Sequence, residues 1–291
     1  MSKDCCPFFF VSDLHGRVRH YQKLFSAVAQ GIPKAVFLGG DLLPSGSPYF
    51  GSGNSHENGF IDDFLAAELL KLRAVLKKKF PQFFIIMGND DARAEEAAML
   101  RHDQENLWKY MHNRKMIFTG YPIYGYSCVP PTPFALKDWE RYDVSHFVDP
   151  GALAPEEGRL TSAVSEKEIH DHTIQEDLEN LSAGDSLEKA IFLFHAPPYQ
   201  TRLDRAALDG RFVEHVPLDV HVGSIAIQRF IQERQPLVTL HGHVHESARL
   251  TGSWQEKIGR THVFSAAHDG PELAIVCFDP AQPEKAIRRL L

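Results

Sequence analysis

The stretch LHGHVHES (240–247) sets His241, His243 and His245 at alternate positions, with Gly242 after the first. Imidazoles this dense suggest metal ligation, since a neutral ring nitrogen is a good donor to divalent transition metals. One segment supplies only part of a coordination sphere. The remaining donors are found earlier in the chain: Asp13 and His15 in a D-x-H, Asp41 behind Gly40, Asn89 behind Gly88, and the lone His195. Hard oxygen donors mixed with imidazoles are what two divalent cations sharing one carboxylate require. Any one of these pieces is common in structural roles. Five in order, each at the end of an apolar run, are hard to explain as packing.

Those runs are PFFFVSDLHG (7–16), KAVFLGGDLL (34–43), QFFIIMGNDD (82–91), KAIFLFHAPP (189–198) and PLVTLHGHVH (236–245). Each predicts a strand apolar on both faces whose C-terminal end opens into a loop. Helical spacing separates them: Val18, Tyr21, Phe25 and Val28; then Ile61, Leu65, Leu69, Leu72 and Leu76; then Ile227, Phe230 and Ile231 behind Ser224. The alternation predicts an α/β domain with largely parallel central pairing. In open α/β sheets ligands bind beyond the carboxyl ends of the strands, where all five runs place Asp, Asn or His.

Two stretches look like additions. Residues 43–60 are rich in Gly, Ser and Asn and predict a long loop. Residues 129–190 open on a Pro-rich turn and contain a predicted helix from about 166 to 181, with Ser165 and Glu168 as a capping box and Gly184 as its stop. With no internal repeat, one domain over 1–291 carrying a lid at 129–190 is the expected organisation. Aromatic side chains of this region and its approach (Tyr126, Phe134, Trp139, Tyr142) would stack on a base or form the insertion's own core.

Bulk properties exclude several classes. The 291 residues are 43% apolar and 24% charged, ordinary for a globular protein. Net charge is 31 − 38 = −7, which disfavours non-specific binding to nucleic acid or anionic membranes. Cys5, Cys6, Cys128 and Cys277 form no CxxC pair, and the run from Phe8 to Val11 is too short for a membrane span. The expectation is a reduced, cytoplasmic protein with no membrane and no evident protein partner.

The ordered motifs Asp13-Leu14-His15, Gly40-Asp41, Gly88-Asn89-Asp90, His195 and Gly242-His243-Val244-His245 resemble those of the calcineurin-like metallophosphoesterases, over roughly residues 8 to 278. The resemblance implies a four-layer αββα sandwich of two mixed sheets, the second built from strands near 122–128, 261–265 and 273–278. It assigns Asp13, His15 and His245 to one metal, Asn89, His195 and His243 to another, and Asp41 to both. It further implies two divalent ions (Mn2+, Fe2+/Fe3+, Zn2+ or Ni2+) and hydrolysis of a small phosphorylated substrate, such as a nucleotide, by a metal-bridging hydroxide.

Many members of that family carry histidine after the Gly-Asn as a proton donor or phosphate ligand, and this chain has Asp90. The expectation is a phosphodiester or pyrophosphate substrate, whose leaving group needs less protonation. Asp41, Asn89, Asp90 and His195 are the expected catalytic set, with Asp90 alternatively orienting its neighbours; His56 or His268 would be other donors. Asn89, Arg17, Arg93 and His56 are candidate phosphate contacts. Alternatives are a phosphomonoesterase, a catalytically weak metal-binding scaffold, or a mononuclear zinc hydrolase in which Asp41 and Asn89 are idle.

Overall fold

In the computed structural model, which describes residues 7–45, 59–165 and 169–291, two six-stranded sheets pack face to face. The first sheet runs, edge to edge, β14 (Ile287–Leu290), β13 (Ala274–Phe278), β1 (Phe8–Val11), β2 (Ala35–Gly39), β3 (Gln82–Ile86) and β4 (Lys109–Tyr110). The second runs β11 (Gln255–Ile258), β12 (Thr261–Ser265), β10 (Val238–His241), β7 (Ile191–Phe194), β6 (Tyr121–Tyr126) and β5 (Arg114–Phe118). A separate hairpin joins β8 (Phe212–Val213) to β9 (Val216–Pro217).

Strands apolar at every position can serve two cores at once, because successive side chains point to opposite faces. In β1, Phe8 and Phe10 turn inward with Phe37, Phe84, Ile86, Leu193, Leu240, Phe264 and Phe278, forming the layer between the sheets. Rings of the two sheets meet there, Phe84 with Phe118 at 5.3 Å and Phe264 with Phe278 at 5.7 Å between centroids. Phe9 and Val11 turn outward and belong to the cluster that includes Tyr21, Leu24 and Val28 of helix α1 (Val18–Gly31) and Leu69 and Leu72 of α2 (Ala67–Leu76). A π-helical stretch, Ile61–Ala66, leads directly into α2. Helix α3 (Glu96–Gln104) follows β3 in the chain. On the second sheet, Phe192 meets Phe230 of α5 (Ile225–Arg234) at 5.0 Å.

Central pairing is parallel: β1 with β2, β2 with β3, β7 with β10, and β10 with β12. Registers such as Val11 beside Leu38, and Gly39 beside Ile86, make the loops leaving β1, β2 and β3 open on one edge. The expected sandwich is therefore present, with one correction. Residues 274–278 form β13 in the first sheet, antiparallel to β1, and not in the second. Antiparallel pairing between strands at opposite ends of the chain leaves no local signature.

The segment between β6 and β7 is mostly loop. Ile169 and His170 are helical, the helix breaks at 171–173, and helix α4 (Ile174–Leu181) starts afresh there with Thr173 and Glu176 as its capping box. The amide of Ile169 donates to the Ser165 carbonyl, while the expected start at 166 and the expected capping residue Glu168 lie outside the described residues. The helix ends at Leu181, and Gly184 sits beyond it with φ +73°. Asp143 of the segment accepts hydrogen bonds from Ser224 Oγ (2.5 Å) and the amide of Ile225 (2.6 Å), closing the N-terminus of α5. Of the four aromatic side chains singled out above, Tyr126, Trp139 and Tyr142 are buried and only Phe134, 59% exposed, faces solvent. Among the described residues no helix is long and apolar enough to cross a membrane.

Candidate metal centre

Asp13, Asp41 and Asn89 leave the first sheet just beyond β1, β2 and β3, while His195, His243 and His245 leave the second beyond β7 and β10. The site thus lies where the loop edges of the two sheets meet. Backbone bonds lock the loops together: the amide of Asp13 donates to Gly40 O (3.0 Å), that of His15 to Asp41 O (2.8 Å), and that of Gly242 to His195 O (2.9 Å). Four of these side chains sit on left-handed backbone, Asp13, His15, Asp41 and His243, with φ of 59°, 44°, 52° and 73°. Such backbone is unfavourable for residues other than glycine, and it clusters where function dictates the turn.

Glycine is required at two approaches. A Cβ on Gly88 would lie 2.6 Å from His195 Nε2, and one on Gly242 would lie 2.8 Å from Asp13 Oδ2. Both separations are well inside van der Waals contact, so these backbones pass where a side chain would displace a ligand.

The outer part of the site gathers Asp13, His15, Asp41 and His245, whose donor atoms all lie within 4.8 Å of one another. His15 Nε2 and His245 Nε2 face each other at 3.2 Å, His245 Nε2 lies 3.4 Å from Asp13 Oδ1, and His15 Nε2 lies 3.8 Å from Asp41 Oδ2. The inner part is assembled around His195. Its Nδ1 donates to Gly39 O at 2.7 Å, while its Nε2 lies 3.3 Å from Asp41 Oδ1 and 3.1 Å from Asn89 Oδ1. His243 packs against it, with ring centroids 5.2 Å apart. Asp41 alone faces both parts, one carboxylate oxygen towards each.

Charge balance follows from these distances. Burial opposes an imidazolium at His195 and His15, but the neighbouring carboxylates prevail and raise both to about 9. Burial would likewise raise Asp41 and Asp13, yet the histidines hold both carboxyls below their usual range. His243 goes the other way, pushed down to about 4 by burial and by the charge on His195. The donor set fits cation binding on its own chemistry: converging carboxylates and imidazoles, plus a buried carboxylate oxygen, Asp13 Oδ2, with no hydrogen-bond partner.

The remaining expected residues fare differently. Asp90 accepts from His15 Nδ1 at 3.0 Å and from Ser45 Oγ at 2.5 Å, so it sits beside the outer part. Arg93 lies over the ring of Trp139 at 5.2 Å and pairs with Glu96 at 3.5 Å, which turns it towards the β6–β7 segment. Arg17 is exposed at the start of α1. His268 pairs with Glu272 at 3.1 Å, and His56 lies outside the described residues. His241, the first histidine of the opening cluster, is fully buried: Nδ1 bonds Ala196 O (2.7 Å), Nε2 bonds Thr239 Oγ1 (2.8 Å), and its ring stacks on Phe194.

Asp91 has a role that sequence reasoning missed. Fully buried, it accepts from the amides of Leu42 (2.9 Å), Leu43 (2.7 Å) and Gly88 (2.9 Å), joining the loops after β2 and β3 behind Asp41. Burial and the nearby Asp41 carboxylate push it up to about 7. The doubled carboxylate of GNDD was its only trace in the sequence.

The sandwich, with carboxylates and imidazoles converging at this edge, has the architecture of a metal-dependent phosphoesterase. The chain matches the calcineurin-like phosphoesterase family model over residues 6–247 and belongs to that family. Among solved structures its backbone is similar to TT1561 of Thermus thermophilus, with TM-score 0.53, 16% identity, and 97% of each chain covered. It is also similar to a dimetal phosphatase from Danio rerio, with TM-score 0.52, 9% identity, 97% of this chain and 95% of that one. At these identities the likeness establishes the fold. No curated protein matches the chain in sequence.

Proposed function

We propose that this protein is a two-metal hydrolase of phosphodiester or pyrophosphate bonds. The observation that carries the reading is Asp41, whose two carboxylate oxygens face the His195 side (3.3 Å) and the His15 side (3.8 Å) of one cluster. Asp13, His15 and His245 would hold one cation, and Asn89, His195 and His243 the other, with Asp41 shared. Two divalent cations bound there supply Lewis acidity, lowering the pKa of a water and neutralising phosphoryl oxygens.

The chain's own residues contribute orientation and charge. Gly39 O fixes which nitrogen of His195 faces the cluster. Asn89 turns its Oδ1 inward and keeps Nδ2 as a neutral donor for a phosphoryl oxygen. Preference for a diester or pyrophosphate is supported by Asp90, whose carboxylate is engaged by His15 and Ser45 and is not available as a proton donor to the leaving oxygen. The segment 129–190 supplies a wall of the pocket as a lid, and nucleotides are the substrate class to screen first.

The test uses protein loaded with Mn2+, Fe2+, Zn2+ or Ni2+ in turn, assayed on bis-p-nitrophenyl phosphate and on p-nitrophenyl phosphate. The diester is cleaved faster, and Asp41→Ala loses the activity. Activity surviving that change refutes the assignment, while a monoester preference replaces it with a phosphomonoesterase. Fewer than about one metal per chain after loading points to a scaffold.

A further inference from the structure

We propose that Asp90, steadied by Ser45, is the positioning residue that fixes the orientation and tautomer of His15 and so sets cation affinity at the outer half of the site. The inference rests on the two-metal reading above. An imidazole can present either nitrogen to a cation, and the hydrogen bond at the other nitrogen decides which. At His195 that decision is made by backbone, since Nδ1 donates to Gly39 O at 2.7 Å. His15 has no backbone carbonyl in that role. Its Nδ1 faces Asp90 Oδ2 at 3.0 Å, and an ionised carboxylate can only accept, so the proton stays on Nδ1. Nε2 is thereby turned to Asp41 and His245, at 3.8 and 3.2 Å.

Asp90 is itself held at three points. Ser45 Oγ donates to the same Oδ2 at 2.5 Å, and the Asp90 amide donates to Asp41 Oδ1 at 2.8 Å. One residue therefore orients His15 with its side chain and Asp41 with its backbone. The side-chain link is the replaceable one. His15 also needs such a link more than His195 does: its backbone is left-handed (φ 44°) and its side chain is 15% exposed, against 0% for His195. Its ring packs edge-on against His245, with centroids 5.0 Å apart, a contact that does not by itself select which nitrogen carries the proton.

The experiment compares Asp90→Ala, Asp90→Asn, Ser45→Ala and His15→Ala by two readouts other than turnover. Mn2+ affinity is measured by titration calorimetry, and the His15 Nδ1–H is observed by 15N–1H NMR of the zinc-loaded protein, assigned by its loss in His15→Ala. Asp90→Ala weakens the outer cation about 10- to 100-fold and removes or broadens the Nδ1–H signal. Asp90→Asn retains an acceptor oxygen and recovers the signal and most of the affinity. Ser45→Ala, the milder variant should Asp90→Ala fail to fold, shifts both readouts in the same direction by a few-fold. The proposal is overturned if Asp90→Ala leaves both readouts unchanged while His15→Ala loses a cation, or if Asn does no better than Ala. If His15→Ala itself leaves cation stoichiometry unchanged, it is the two-metal reading that fails.

Discussion

His195 and His15 both turn Nε2 towards Asp41, at 3.3 and 3.8 Å, but the two halves of the cluster are built differently. The His195 half is sealed, its ring fully buried and held by a carbonyl of β2. The His15 half lies at the mouth of the site, with His245 31% exposed at its side chain and His15 held by side chains of two loops. Backbone-held ligands inherit the rigidity of the sheets, whereas loop-held ligands depend on a few replaceable groups. The inner half should therefore tie metal binding to folding, and the outer half should be tunable without unfolding the protein.

The largest effect belongs to the residue common to both halves. Asp41→Ala should reduce diester hydrolysis more than about a thousandfold and lower metal content in both halves, because each cation loses a shared anionic ligand. Metal analysis beside the rate assay checks this. Loss of one cation with the other fully retained would mean that the halves are independent.

Next comes the contrast in stability. His195→Ala leaves a hole in a closed site and removes one of two donors to the Gly39 carbonyl, which keeps Ser12 Oγ at 3.1 Å, and should cost about 1–3 kcal/mol. His15→Ala, at the mouth, should leave a smaller packing defect and cost less than His195→Ala. Urea unfolding in chelator measures both free of bound cations. Equal losses would erase the distinction between sealed and open halves.

Much of this site could be read from the chain before the structure. The convergence of the seven positions was legible because apolar runs stop abruptly at Asp, Asn or His, and strand ends are where such residues can meet. Sheet membership of 274–278 was not, since nothing local distinguishes a strand that pairs with β1 from one that pairs with β10. The roles of Asp90 and Asp91 depend on partners at His15 and Leu42, which are 75 and 49 residues away. His241 stands outside the assigned set for a local reason: it ends β10 facing Phe194, and the left-handed turn at His243 redirects only the later histidines.

Protons sharpen the comparison next. In the metal-free protein His15 and His195 titrate near 9 while His243 stays neutral above about 4. Cation uptake near pH 8 should therefore release one proton each from His15 and His195, beside any from His245, where burial is outweighed by Asp13 and the pKa is also raised. Calorimetry in buffers of different ionisation enthalpy counts them. His15→Ala should lower the count by one, and an unchanged count would place that proton elsewhere.

The smallest effect is the acid limb of stability, where buried histidines outside the cluster set the contrast. Burial pushes His241 and His112 down to about 3, against 6.5 for an unperturbed imidazole. The unfolded chain thus takes up their protons first as pH falls. Their contribution is complete above 6.5 and is lost progressively on descent towards 3. His15 and His195, raised to about 9, behave oppositely: their contribution in the metal-free protein is complete below 6.5 and is lost as pH rises through 9. Chelated protein should therefore be most stable near the ordinary histidine pKa and weaken on both sides. Metal should rescue the alkaline loss and, of the acid loss, only the part that belongs to His243, which is pushed down to about 4 within the cluster. Urea midpoints across pH, with and without Mn2+, test this. An acid limb abolished by metal would mean that the cluster, and not His241 and His112, governs the low-pH side.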